Sequence, residues 1–423
     1  MIPTQPLLTV LTLTTPLLAG PLGPTPDAVP PGGGNPDAFT WLTPSVDIRT
    51  RYEFREVDGN DPSHAATARA RLGLLLGEFA GFSAFGELEA TGVLIDDYRS
   101  NPTSSPTTDP FVLNNTPIGD PENAELNQAW IRYAQDGAGL KAGRQRIIRN
   151  NAAFIGNVGW RQNEQTYDAI EGSFSNDNLS LSYVYSDRVQ RIFGDDANDA
   201  LPGPPLRDFE GEFHFIDGSY RAPFGETGAY AYLIDVDNNA AVGESNTVGA
   251  FIKAGPVHAE AAWQDGTSSL AGPAAMNDYD AFYGHLVYTH EAGPATLTGG
   301  LEYLEENFKT PFATVHAFNG FADAFILQRT GLNKAGGGAY TGLADFYLGY
   351  SQGGLPGGLV FKGFLHYFLD DGFSDAYGWE ADAVLVKKIN ENVTALFAAA
   401  RFSADDPGYA DIEQVSVQLD IKF

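Results

Sequence analysis

The stretch 415–423 reads VSVQLDIKF and alternates without a break. Side chains along a β-strand point in turn to opposite faces. Val415, Val417, Leu419, Ile421 and Phe423 therefore share one face, and Ser416, Gln418, Asp420 and Lys422 share the other. Residues 46–55 repeat the pattern near the other end of the chain. There Asp47, Arg49, Arg51, Glu53 and Arg55 lie on one face, against Val46, Ile48, Tyr52 and Phe54, with Thr50 the one polar exception. A row of ionised side chains needs water, while the opposite face needs a protein core or lipid. If first and last strands pair, the sheet closes and no edge is left open, as a sheet in a bilayer requires. A soluble sandwich is the competing solution, and the rest of the chain decides between them.

The composition fits either. The chain has 423 residues, with 48 Gly, 28 Phe and 19 Tyr. Beyond the N-terminus no run of about 20 apolar residues occurs, which argues against membrane-spanning helices. A mean hydropathy of −0.19 does not count against a barrel, whose strands hide their apolar residues in alternation. The absence of cysteine excludes disulfides and thiolate metal sites and agrees with an exported protein. A net charge of −29 and the lack of a basic stripe argue against a nucleic-acid partner. The excess charge reads as acidic loops facing a saline medium, or as a surface bridged to anionic lipopolysaccharide by Ca²⁺ or Mg²⁺.

Residues 1–20 contain PLLTVLTLTTPLLAG, too short to span as a helix and followed by small residues. This reads as a signal peptide that lacks the usual basic n-region, since no Lys or Arg precedes Arg49. Residues 21–38, rich in Pro and Gly, read as a flexible lead-in, leaving 39–423 as one β-structure.

The pattern predicts about 18 strands. They lie near 40–56, 66–77, 81–95, 123–134, 138–147, 166–175, 178–189, 209–220, 228–237, 241–254, 256–265, 278–290, 294–306, 338–351, 356–369, 375–389, 392–403 and 411–423. The connections test this reading independently. Those after even-numbered strands are short and carry Gly, Pro, Asn or Asp, as in GEFAG (77–81), QDGA (135–138), SND (175–177), AGP (254–256) and NEN (390–392). The long ones, 96–122, 148–165, 190–208, 266–277 and 307–337, all follow odd-numbered strands, although 238–240 and 370–374 are short. An up-and-down transmembrane barrel sorts its loops this way, with short periplasmic turns and long extracellular loops. A sandwich has no reason to. Aromatics near strand ends, Phe39, Trp41, Tyr220, Tyr347, Tyr350, Tyr377 and Trp379, fit two interfacial girdles. The expected fold is therefore all-β: an antiparallel, up-and-down transmembrane barrel in a bacterial outer membrane.

In such a barrel the polar faces line the interior. Basic residues concentrate early: Arg49, Arg51, Arg55, Arg69, Arg71, Arg132, Lys141, Arg144 and Arg146. Acidic residues on polar faces begin with Asp47, Glu53, Glu87 and Glu89 and dominate later, at Glu210, Glu212, Glu260, Glu302, Glu380 and Asp382. One arc of the wall would be arginine-rich and another carboxylate-rich, setting a transverse field that orients polar solutes. Cross-strand pairing of Arg49, Arg51, Arg69 and Arg71 with Glu53, Glu87 and Glu89 would instead neutralise a wet interior. Residues 147–165 carry Arg149, Arg161, amides and small residues around Trp160. Arg161, Gln162, Asn163 and Gln165 are costly to bury except in a wet lumen, so this loop is expected to fold inward and narrow the pore.

The stretch 139–172, GLKAGRQRIIRNNAAFIGNVGWRQNEQTYDAIEG, resembles the alginate-export porin family of Gram-negative outer membranes. The resemblance rests on Gly143-Arg144-Gln145 at a strand end, on Phe154-Ile155-Gly156, on Trp160-Arg161-Gln162 and on Thr166-Tyr167-Asp168-Ala169. The stretch HAFNGFADAF at 316–325 and Thr330-Gly331-Leu332 add to it, as do the strand-1 and strand-2 arginines. Ala153 stands where that family usually has Arg. What the resemblance implies is a single-chain 18-stranded barrel that passes solutes without energy input, an anionic polysaccharide in the founding member. With its many carboxylates, this chain reads as a porin for small polar or charged solutes. Its expected lining comprises Arg49, Arg51, Arg55, Arg69, Arg71, Glu87, Glu89, Arg132, Arg144, Arg149, Arg161, Glu260 and Glu302, with Trp160, Gln162 and Asp168 at the constriction.

Two other classes compete with a porin. An enzyme at the barrel rim would need a nucleophile or metal motif, and neither GxSxG nor HExxH occurs. A structural anchor would need a separate periplasmic domain, for which 21–38 is too short. No enzymatic activity and no cofactor are expected, apart from a loop-bound Ca²⁺ weighed at Asp195, Asp196 and Asp199 or at Asp96 and Asp97. The expected partners are outer-membrane lipid and lipopolysaccharide, small polar solutes, and the barrel-assembly machinery through the strand ending in Phe423.

Overall fold

A computed structural model describes residues 41–100, 114–194, 207–240, 242–268, 277–314, 316–330 and 341–423. The expected signal peptide, the lead-in and Asp195, Asp196 and Asp199 lie outside the described residues. The first six strands are β1 (Leu42–Val57), β2 (Ser63–Phe79), β3 (Phe82–Asp97), β4 (Asn123–Gln135), β5 (Ala138–Gln145) and β6 (Thr166–Ser175). Then come β7 (Leu179–Gln190), β8 (Asp208–Ala222), β9 (Gly225–Val236), β10 (Glu244–Ala254), β11 (Val257–Ser268) and β12 (Asn277–Ala292). The last six are β13 (Ala295–Leu304), β14 (Leu343–Leu355), β15 (Leu359–Leu369), β16 (Ala376–Lys388), β17 (Val393–Ala404) and β18 (Ile412–Lys422).

They form one 18-stranded antiparallel sheet in which each strand pairs with its sequence neighbours. β1 also pairs with β18, from Asp47 opposite Lys422 to Val57 opposite Ile412. The two alternating segments that open and close the sheet are thus its seam, and no strand edge is left free.

The pairing register sorts the two faces. Leu72, Leu88 and Leu126 stand side by side on β2, β3 and β4, all outward and exposed. Leu348 and Leu365 pair in the same way on β14 and β15 and are 66% and 57% exposed. An all-round coat of exposed Leu, Ile, Phe and Trp is intolerable in water and suits hydrocarbon. Above this belt, on the long-loop side, the outward positions turn acidic: Glu210, Asp235, Glu244, Asp265 and Asp280. Part of the negative charge therefore sits on the outer rim. Trp41, Tyr220, Tyr350 and Trp379 are exposed at strand ends as girdle residues should be. Tyr347 and Tyr377 are not girdle residues. Tyr347 turns inward to meet His285 Nε2 at 2.9 Å, and Tyr377 is buried at 2% exposure.

Candidate functional site

Two segments between strands fold into the barrel and meet there. The first is 146–165, between β5 and β6; the second is 305–330, after β13. Their backbones join directly: Gly156 N donates to Phe312 O at 2.8 Å, and Thr314 N to Ala152 O at 3.0 Å. Gly156 is required at this crossing, because a Cβ there would collide with Thr314.

One half of their contact with the wall is apolar. Phe154 packs against Tyr230, Tyr232, Tyr283 and Phe308. Phe312 packs against Tyr167, Phe209, Phe213 and Phe215. Phe325 fills the space beside Phe368, Tyr377 and Phe402. Inward aromatics on β6, β8, β9, β12 and β15–β17, with Val184 and Val189 of β7, thus form a true hydrophobic core inside the barrel.

The other half is ionic, and here the early arginines are found. Arg49 Nη1 donates to the carbonyls of Gly159 at 3.0 Å and Trp160 at 3.1 Å, while its Nε pairs with Asp420 at 2.9 Å. Arg51 lies over the Trp160 ring, 4.0 Å from its centroid, and bonds the Trp160 carbonyl and Gln418. Arg55 Nη2 donates to Ala322 O in the second segment at 2.7 Å. Arg69 pairs with Asp47 at 2.6 Å, and Arg71 pairs with Glu89 and reaches Glu164 at 3.6 Å. Arg161 itself returns to the wall, 3.0 Å from Glu53, with Asp120 at 3.7 Å and Asp323 at 3.8 Å. Gln162 bonds Thr67 at 2.7 Å. Arg49, Arg51, Arg55, Arg71 and Arg161 therefore tie the inward segments to β1 and β2, while Arg69 pairs within the wall.

Glu164 is the hub of the first segment. It receives Arg146, Asn127 and Asn157 and faces Arg71. Burial would raise its carboxyl, but Arg146 and Arg71 hold it well below the usual carboxylate range. Glu87 accepts from Asn127 at 2.8 Å and Gln128 at 3.0 Å. In the second segment Arg329 donates to Glu302 at 2.9 Å, Asn319 at 2.6 Å and Ala153 O at 3.3 Å. A guanidinium thus reaches the position of Ala153 from the other segment. Lys309 is buried, which lowers its ammonium to about 7 against the pull of Glu244, and its Nζ contacts the Val242 and Thr267 carbonyls.

Across the interior lies the carboxylate arc. Glu260 accepts from the Tyr230 hydroxyl at 2.7 Å. Glu302 and Asp345 both accept from Asn319, and His366 lies 2.9 Å from Asp345 and 3.6 Å from Asp382. Glu380 accepts the Ala322 N–H at 2.8 Å. The wall is thus basic along β1–β2 and acidic along β11–β16.

Some expected residues lie elsewhere. Glu171 meets the inward Arg149, so the alternation along β6 turns Asp168 outward; Arg144, its partner across the strand pair, goes with it. These two form an ion pair at 2.8 Å on the outer wall, with Gln190 on the same carboxylate. Glu210 and Glu212 also face outward, because Phe209, Phe213 and Phe215 take the inward positions of β8. Arg132 is inward but exposed near the periplasmic end, opposite Lys141. Among the described residues, no group of three His, Asp or Glu is arranged to hold a metal ion, Asp96 and Asp97 included. Sequence reasoning missed Asp120, Glu164, Asp323 and Arg329; only the second matched stretch, 316–325, pointed toward that segment.

No family model matches the chain, and no curated protein does. Solved structures do. Pseudomonas aeruginosa OccK9 (OpdG) superposes with a TM-score of 0.63 at 13% identity, over 90% of this chain and 98% of that one. OccK2 (OpdF) of the same organism, solved in complex with glucuronate, gives 0.62 at 13% identity over 90% and 98%. OpdK solved with vanillate gives 0.60 at 13% over 90% and 98%. The fold is that of an outer-membrane barrel, and the likeness supports that broad class rather than alginate exporters in particular.

Proposed function

We propose that this barrel is a passive channel of the bacterial outer membrane for small polar or charged solutes. Its lumen is narrowed by 146–165 and 305–330 and flanked by opposed arginine and carboxylate arcs. The observation that carries this reading is the docking of both segments inside an 18-stranded wall, a size that otherwise leaves an aqueous channel. Arg49, Arg51 and Arg161 clamp the first segment to β1, and Asn319 and Arg329 tie the second to Glu302 and Asp345; the solute would pass where these segments leave room. Arg132 would add an exposed charge near the periplasmic end, whereas Arg69, Arg71, Glu87 and Glu89 are buried and would act through the clamp.

The OccK2 and OpdK structures carry glucuronate and vanillate, both small carboxylates. Small organic acids are the first solutes to try here, and the alginate-family resemblance extends the list to acidic saccharides. Outer-membrane lipid would cover the apolar belt, lipopolysaccharide would meet the acidic rim, and the barrel-assembly machinery would engage β18. Swelling of proteoliposomes in isosmotic glucuronate, glucose and alginate oligomers tests the reading. Entry of small solutes with exclusion of polymers supports it. Vesicles as tight as protein-free ones, containing correctly folded barrel, would rule it out.

A further inference from the structure

The two inward segments meet at His316. Its imidazole is sandwiched between the Trp160 indole, 4.3 Å away with planes 17° apart, and the Phe321 ring, 4.9 Å away at 20°. The residue is 4% exposed. Nδ1 lies 3.2 Å from the Asp323 carboxylate, so the hydrogen of the neutral ring sits on Nδ1. Nε2 is buried and has no hydrogen-bond partner. A bare lone pair between two aromatic faces is tolerable. An N–H placed there would be a buried donor without an acceptor.

The surrounding charge is mixed: Asp323 and Glu53 favour a protonated ring, while burial and Arg161 oppose it. Asp323 faces the ring from its own segment, Arg161 from the first segment, and Glu53 from β1. Behind them stand Arg51 and Arg55 on β1 and Asp120 in the connection after β3. Glu380 on β16, which accepts the Ala322 N–H, adds a further carboxylate near Arg55. Protonation places a charged donor at a dry Nε2 that has no acceptor, with the Arg161 cation nearby.

We propose that His316 is a pH-sensitive latch: neutral, it holds 146–165 and 305–330 together across the lumen, and its protonation releases them. Burial depresses the imidazole below its usual 6.5, and Arg161 adds to this against Asp323 and Glu53. The docked form therefore binds fewer protons than the released form below that value. Docking is at full strength above it and weakens as the pH falls through the interval beneath it. The expected physiological effect is a wider channel in acid.

The test is hydrogen exchange of the full chain, folded in detergent micelles, at about pH 7.5 and about pH 5. Rates are corrected for intrinsic exchange. Amides of 148–165 and 316–330 should exchange faster at the lower pH, by up to roughly thirtyfold, the limit set by the interval between 6.5 and pH 5, while strand amides stay unchanged. His316 has a positive φ of 72°, which Asn tolerates best. His316→Asn should therefore keep the segments docked at both pH values, and His316→Phe, which retains the stacking, should do the same. Equal protection of the wild type at both values would overturn the proposal. So would an acid response that persists in both variants. The readout does not require conduction, so it stands apart from the test of the channel itself.

Discussion

Arg161 Nη1 lies 3.0 Å from Glu53 Oε1, and both side chains are almost wholly buried. This pair ties the tip of the first inward segment to β1, and Asp120 and Asp323 share the same guanidinium. Removing one partner of a buried pair strands the other charges, at a cost of roughly 3–5 kcal/mol. Arg161→Met should accordingly undock 146–165 while the barrel persists. The check is heat-modifiable migration, which reports the barrel, together with protease cleavage within 146–165, which reports docking. Cleavage no faster than in the wild type would contradict the assignment.

Gly320 has a φ of +83°, and a Cβ there would run into the Glu380 carboxylate. Left-handed backbone costs a non-glycine residue roughly 1–2 kcal/mol, and the collision adds to this. Gly320→Ala should loosen 316–330 and raise unitary conductance. Gly86→Ala is the control, since nothing lies within 4 Å of a Cβ at Gly86; that variant should match the wild type.

Leu88 is outward and 59% exposed, between Leu72 and Leu126 on the neighbouring strands. Arginine near the bilayer midplane costs roughly 2–4 kcal/mol. Leu88→Arg should therefore destabilise folding into phospholipid vesicles by about that much. The same change at Ser173, on the inward face of β6, should cost little. Equal penalties would mean that the two faces are assigned wrongly.

Glu164 supplies a second pH response, separate from that of His316. Its docked carboxyl lies below its usual 4.5, because Arg146 and Arg71 outweigh burial. The released segment therefore takes up a proton first as acid is added. Docking is fully supported above about pH 4.5 and is lost as the pH falls below it. Exchange of 157–165 should accelerate in that range, and Glu164→Gln should remove the acid step while weakening docking at neutral pH. A wild-type profile flat below pH 4.5 would contradict this.

The wall was legible because alternation is a local property. Residues 46–55 and 415–423 display their two faces in single letters, and β6 was expected and found at 166–175. The error at Arg144 and Asp168 has a local cause. Lys141 and Arg144 are three residues apart on one strand and must point to opposite faces; Leu140, outward and 54% exposed, shares the face of Arg144 and was the one local signal that this face meets lipid. The clamp was only half legible. Buried amides beside Trp160 argued for an inward loop, but Arg49 and Gly159 are 110 positions apart in sequence. Nothing in the string joins Arg329 to Ala153 or His316 to Trp160. Such pairings depend on how two loops cross inside a closed wall, and no periodicity encodes that.

The central claim is that the two docked segments set the size of the channel. Single-channel recording in planar bilayers tests it most directly, comparing the wild type with a variant in which 308–330 is replaced by a short Gly/Ser turn. The account predicts small, stable unitary conductance for the wild type and a several-fold increase for the variant, with the same folded barrel. Equal conductances, or none from either protein, would contradict it.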